Sequence, residues 1–303
     1  MISFYLPILI AVLAAGLVIM RTLCGLQRRT TIIDGQTWFY LDSGGAQAPA
    51  VLLHGFGADK YAWLAYGRLL RRRFRVIAPD LPGFGESPRD PALDYSVAAQ
   101  CSRLHRFMTE LGLSKVHLAG NSLGGFIAAW YALTYPEALH SVMLIDAAGV
   151  AGSRKSTADL TIEQGDNPFA VTDLRGFELM LSTIAHKPPR IPGFIVKALY
   201  QDLQDRQAFL ERLFWGLLDD LRARSLLDHL PGLKVALLVL WGREDRLVDV
   251  TAAVAIHECV PGSTLVILDE VGHVPMIEAP RLTARHHLQF VDSLGRTGQP
   301  SPA

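Results

Sequence analysis

The chain reads as an α/β fold, a mostly parallel sheet flanked by helices, and three observations predict it. Short apolar runs with little polar alternation recur along the chain, as expected of strands covered on both faces. Segments long enough for helices separate most of them, which implies strand, helix, strand units in succession. One interval, Ala147 to Gly232, breaks the rhythm: it holds no convincing strand, only helical stretches and loop signals, and reads as an insertion over the carboxyl ends of the strands.

The amino terminus comes first. No charge falls between Ile2 and Met20, and after Arg21 the stretch Thr22 to Leu26 is again mostly apolar. That length suffices to cross a hydrocarbon layer of ~30 Å, so residues 1–27 are expected to form a transmembrane helix and membrane anchor. A cleaved signal peptide begins with basic residues and ends in a small-x-small site, whereas here Arg21, Arg28 and Arg29 follow the apolar run. Leu23 before Cys24 also lacks the small residue that lipoprotein processing needs. Positive charge at the carboxyl end of the anchor places the body on the cytoplasmic side, with an external or periplasmic face as the alternative.

"TIIDGQTWFYLD" then reads as two alternating strands around an Asp34-Gly35 turn. Buried strands are expected at Pro49 to Leu53, Phe74 to Ala78, Lys115 to Ala119, Ser141 to Ile145, Lys234 to Leu240 and Thr264 to Leu268. Helices are expected at Tyr95 to Leu111, Ser122 to Thr134 and Val250 to Cys259, with Arg71-Arg72-Arg73 as the solvated end of another. Within the insertion, "HKPPRIPG" is a loop and "RQAFLERLFWGLL" is helical. The core is thus expected over 28–146 and 233–296, a helical cap over 147–232, and a disordered tail over 297–303.

Composition narrows the function. Lysine plus arginine balance aspartate plus glutamate at 29 each, so no global field draws nucleic acid. Cys24, Cys101 and Cys259 are odd in number and far apart, which fits neither a disulfide framework nor a metal site.

The chemistry-bearing motif is Gly120-Asn121-Ser122-Leu123-Gly124, after an expected strand and before an expected helix. Small residues on both sides of one hydroxyl suit a turn so tight that the serine stands alone at its apex. A serine is a poor nucleophile at neutral pH and needs a base, which the end of a later strand can supply. "LLVLWGREDRLVD" delivers Asp245 and "LDEVGHVPMIEAP" delivers His273, ahead of a helix that Pro280 can begin. Asp249 and Asp146 are alternative acids. Backbone N–H groups of Phe56, in "LLHGFG", and of Leu123 are the candidate oxyanion donors. His54 fits a structural hydrogen bond better than the base, His117 a packed strand position, and "DLPGFGES" a structural turn.

"LLHGFGADKYAW", "VIAPDLPGFGES", "LAGNSLGG", "WGREDRLVD" and "GHVPMIEAP" together resemble the α/β-hydrolase superfamily from about residue 30 to 295. The anchor and the "WGREDRLVDV" segment make the chain similar to the membrane-bound monoacylglycerol lipase group typified by α/β-hydrolase domain-containing protein six, and to related bacterial lipases. The resemblance implies a serine hydrolase that cuts carboxylic esters of lipids through an acyl-enzyme, without metal or organic cofactor. "GNSLGG" is also similar to the carbon–carbon hydrolases of aromatic-ring degradation, which carry tryptophan after the base histidine where this chain has Val274. A short-chain esterase and a pseudo-hydrolase interaction module are further alternatives, the latter weakened because every triad position is filled. Phe169, Phe177, Met180, Phe194, Phe214 and Trp215 of the insertion are candidates to shelter an acyl chain in a single covered pocket, or to form the cap's own core.

Overall fold

Asp34 and Gly35 both adopt positive φ, 52° and 75°, which is the backbone a two-residue hairpin turn requires. They join β1 (Gln27–Ile33) to β2 (Gln36–Asp42) in an antiparallel ladder from Gln27↔Asp42 to Ile33↔Gln36. The computed structural model describes residues 16–188 and 190–296. Most of the expected anchor, residues 1–15, and the tail, residues 297–303, lie outside the described residues.

The remaining strands are β3 (Pro49–Leu53), β4 (Arg75–Pro79), β5 (Val116–Asn121), β6 (Leu139–Ile145), β7 (Leu237–Gly242) and β8 (Thr264–Leu268). Among the described residues they form one sheet in the order β1-β2-β4-β3-β5-β6-β7-β8. β2 meets β4 antiparallel, and from β4 onward every pairing is parallel. The sequence runs overlap all six of these strands, displaced by up to a few residues at their ends.

Along β3 to β7 both faces of the sheet are largely buried, because side chains alternate into two separate cores. Val51, Leu53, Leu118, Val142, Leu144, Val239 and Trp241 point into one. It is covered by α2 (Val97–Glu110), α3 (Leu123–Thr134) and α8 (Thr251–Cys259). Leu52, Ala119, Met143, Ile145, Leu238 and Leu240 point into the other, under α1 (Leu64–Leu70) and α10 (Pro280–Arg296). Between β6 and β7 lie α4 (Thr157–Glu163), α5 (Leu174–Ile184), α6 (Gly193–Ala223) and α7 (Leu226–His229). This segment touches the strand-end loops through main-chain hydrogen bonds from Thr157 to Arg246 and from His273 to Ile184, and Leu226 bonds back to Gly149 within the segment. A short α9 (Pro275–Glu278), not foreseen from sequence, intervenes before the helix that Pro280 begins.

No helix among the described residues is long and apolar enough to cross a membrane. Residues 16–24 are helical, and Leu17, Val18, Ile19, Met20 and Leu23 are exposed there. Gly25, at φ +66, ends this helix, and the Arg68 guanidinium donates to the Leu23 carbonyl.

An ion cluster, buried at Lys60 and Asp80 and open to solvent at Glu86, fixes the loop after β3. Lys60 is fully buried, and its ammonium donates to Asp80 Oδ2 and to Glu86 Oε1, each at 2.6 Å. Its backbone N–H donates to Asp80 Oδ1 at 2.8 Å, while the N–H of Glu86 donates to Asp80 Oδ2 at 2.9 Å. Gly85, at φ +54, lets the turn close over that carboxylate, since a Cβ there would collide with it. Hydrogen bonds from Arg28 and Lys60 hold Glu86 below the usual carboxylate range, at about 2, against the opposing effect of burial. "DLPGFGES" is accordingly a structural turn. Removing the cation strands a buried carboxylate, so Lys60→Met is expected to lower unfolding free energy by about 3–5 kcal/mol in urea titrations. A loss under about 1 kcal/mol would show that the loop does not depend on this pair.

Candidate active site

Parallel strands deliver their following loops to one edge, so the ends of β3, β5, β6, β7 and β8 bring Phe56, Ser122, Asp146, Asp245 and His273 to the same side of the sheet. At the end of β5 the chain reverses into α3 with Ser122 at φ 55°, ψ −119°, a left-handed backbone that a residue with a Cβ adopts at a cost of ~1–3 kcal/mol. The flanking glycines permit it. A Cβ at Gly120 would run into the carbonyl of Gly124, and one at Gly124 into the carbonyl of Leu53. The turn is held by Ser122 N–H on the Ile145 carbonyl and Ala148 N–H on the Ser122 carbonyl, both 3.0 Å.

His273 sits at the β8 end, buried, with Nδ1 at 2.7 Å from Asp245 Oδ2. The other Asp245 oxygen accepts from the backbone N–H of Leu247 at 2.7 Å and of Val248 at 3.1 Å. Three donors therefore converge on one buried carboxylate and fix the imidazole plane. Asp249 is engaged elsewhere: it accepts from the N–H and hydroxyl of Thr251 and from Arg154. Of the alternative acids, Asp249 thus caps the start of α8, and Asp146 lies beside Asp245 with its Oδ1 on the Gly242 N–H at 2.9 Å.

The backbone N–H groups of Phe56 and Leu123 have no acceptor among the described residues. Leu123 is the first residue of α3, where an N–H has no partner within the helix. Gly55 brings the Phe56 loop against the turn, a Cβ there lying 3.1 Å from Ser122 Cβ. His54 faces away from this chemistry. Its Nδ1 lies 2.8 Å from the Gly55 carbonyl and its Nε2 accepts from Leu81 N–H, and burial lowers its pKa. His117 is packed in β5, on Ser141 Oγ.

Two cavities, not one covered pocket, meet at Ser122. The first, about 260 Å³, runs past His273 between Phe177, Met180, Leu203 and Leu210. The second, about 550 Å³, runs past Leu123 between Ala158, Phe214, Leu217 and Leu221. Phe56, Phe169 and Leu247 border both. The rings of Phe56, Phe169 and Phe214 pack on one another at 5.2–5.9 Å, forming the partition. Of the expected acyl-sheltering residues, Phe169, Phe177, Met180 and Phe214 line these spaces. Phe194 and Trp215 do not. Phe194 is 49% exposed near the start of α6, and Trp215 turns its indole N–H to Glu211, because a helix shows only one face to the site.

Sequence reasoning missed Asn121. Its amide donates to the carbonyls of His273 (2.9 Å) and Ile145 (3.2 Å), tying the serine turn to the histidine loop. It also missed Leu203, Leu210, Leu217 and Leu221, although their seven- and four-residue spacing along α6 carried the signal.

Residues 49–280 match the alpha/beta hydrolase fold family. Lipase 1 of Psychrobacter immobilis is 32% identical over 86% of this chain and 82% of its own length. The monoacylglycerol lipase abhd6-B of Xenopus laevis is 28% identical over 91% and 86%. Among solved structures, a membrane phospholipase A described as a bacterial virulence factor superposes with a TM-score of 0.91 at 35% identity, covering 97% of this chain and 94% of that one. A serine-bearing turn, a buried histidine–carboxylate pair and two free N–H groups at one sheet edge, together with these matches, make the chain a member of the α/β-hydrolase fold family.

Proposed function

We propose that the protein is a serine hydrolase of carboxylic esters, acting on lipid esters such as monoacylglycerols from a membrane tether. The observation that carries this reading is that Ser122 and His273 line one cavity, with His273 held by Asp245 and the unpaired N–H groups of Phe56 and Leu123 next to the serine turn. With Nδ1 engaged by Asp245, the other ring nitrogen of His273 takes the Ser122 proton as Oγ attacks the ester carbonyl. The two N–H groups receive the oxyanion, each worth about 3 kcal/mol when lost. The imidazolium returns its proton to the alkoxide, leaving the acyl-enzyme; water repeats the cycle with the same base. This chemistry calls for no metal or organic cofactor.

Because His273 protonates the leaving alcohol, the cavity beside it receives the alcohol and the cavity beside Leu123 receives the acyl chain. Residues 147–232 serve as the cap that walls both, over a core of 28–146 and 233–296. The names of the relatives, two lipases and a phospholipase, agree with lipid esters. For the tether, support comes from the uncharged run of Ile2 to Met20 and the exposed apolar side chains at its end. Arginines after the run place the body on the cytoplasmic side.

Ser122→Ala is expected to abolish both turnover and covalent labelling by a fluorophosphonate probe. Asp245→Asn is expected to lower kcat by on the order of 10⁴, as in serine proteases when the histidine is held in the wrong tautomer, with Asp249→Asn having far less effect. A normal esterase rate in Ser122→Ala would sink the mechanism.

Across saturated esters of one alcohol, kcat/KM is expected to climb by up to about fourfold per added acyl methylene until the second cavity is full, following ~0.8 kcal/mol per buried CH₂. A maximum at acetyl or butyryl esters, with no turnover of monoacylglycerol in micelles, removes the lipid reading.

Alkaline carbonate is expected to leave the full chain in the membrane and to release a chain starting near Arg28. Protease added to inside-out vesicles digests the body if it is cytoplasmic. Protection there, with digestion in right-side-out vesicles, reverses the topology.

A further inference from the structure

Asp146 is a titratable group that the proposed mechanism does not use. It follows β6 in the left-handed region at φ 47°, fully buried. Its backbone N–H is on the Leu240 carbonyl at 3.1 Å, and Oδ1 accepts from Gly242 N–H at 2.9 Å. Oδ2 is buried with no hydrogen-bond donor from the protein. An oxygen of Asp146, an oxygen of Asp245 and a ring nitrogen of His273 all lie within 4.8 Å of one another.

Two carboxyl groups that close in a dry space cannot both be ionised, because like charges there repel strongly and neither is solvated. The donors decide which one keeps the charge. Asp245 accepts from Leu247, Val248 and His273, whereas Asp146 accepts from Gly242 alone. Oδ2 of Asp146 is then an oxygen without a donor that becomes a donor once it carries a proton. We propose that Asp146 is a neutral carboxylic acid whose O–H donates to the Asp245 carboxylate, making it the positioning residue of the triad acid.

The surroundings agree. Burial first, then the charge of Asp245, push the Asp146 carboxyl well above the usual carboxylate range, and Glu278 on α9 adds to the rise. The charged or titratable groups acting on it are thus Asp245 after β7, Glu278 on α9 and the His273 imidazole after β8. The single negative charge stays on Asp245, the group in contact with the imidazole, and its orientation is fixed by one more hydrogen bond. The inference rests on the reading of Asp245 and His273 as acid and base.

The test compares Asp146→Asn with Asp146→Leu in the full chain. Asparagine reproduces the neutral acid, its carbonyl facing Gly242 and its amide donating to Asp245. D146N is expected to keep kcat/KM within about threefold and to leave the acid-limb midpoint of its pH profile unmoved. D146L is expected to lose about 10- to 100-fold in kcat, the size of a hydrogen bond to a charged group. If Asp146 were ionised, D146N would remove a negative charge near the imidazole and move the acid limb to lower pH by about a unit or more; that result overturns the proposal, as does a D146L rate equal to wild type. Infrared spectra of aspartate-labelled protein at neutral pH supply a readout independent of turnover. A protonated-carboxyl C=O band present in wild type and absent in D146N supports the inference even if no ester is cleaved. Its absence from wild type refutes it while leaving the ester-hydrolase reading to its own test.

Discussion

The close approach of three backbone segments at the end of β5 is the constraint on which the site depends. Gly120, Gly124 and Gly55 let the turn at Ser122, the first turn of α3 and the loop after β3 pass within contact of one another. Any side chain at Gly120 or Gly124 would push α3 off the sheet, and with it the orphaned N–H of Leu123. The strained φ of Ser122 persists because hydrogen bonds to β6 and its following loop hold it from both sides.

Around that turn the molecule distributes rigidity unevenly. The loop that carries Phe56 is clamped by the Lys60–Asp80–Glu86 cluster, and the His273 loop by Asn121 and by the carbonyl of Ile184. The segment between β6 and β7 meets the strand-end loops through a few main-chain bonds, ion pairs such as Arg154–Asp249 and Lys187–Glu270, and the apolar walls of the two cavities. The aromatic group of Phe56, Phe169 and Phe214 packs the loop after β3 against the segment between β6 and β7.

Carboxylates in this protein illustrate how neighbours set their roles. Glu86, paired to two cations, stays ionised far into acid; Asp146, which accepts from one backbone N–H and lies beside Asp245, is pushed the other way by burial and then by that neighbouring carboxylate. Asp249, four residues from Asp245 and chemically identical to it, ends as a helix cap because Thr251 captures its oxygen. Residue type alone does not separate these fates.

Much was legible in the sequence. Uninterrupted apolar runs gave the buried strands, Asp34-Gly35 the hairpin, and G-x-S-x-G with the later Asp245 and His273 the candidate residues that the fold brings to one sheet edge, because strand period and turn chemistry are local properties of the chain. The uncharged run at residues 2–20 and its following arginines are likewise local signals. Only the tertiary structure shows Asp245, and not Asp249, on the His273 imidazole, separates two cavities where one pocket was expected, turns Phe194 and Trp215 away from them, and sets Asp146 beside Asp245. Each of these depends on which side chains from distant segments share one buried volume, and on which hydrogen-bond donors remain free there. Neither quantity is carried by any single stretch of sequence.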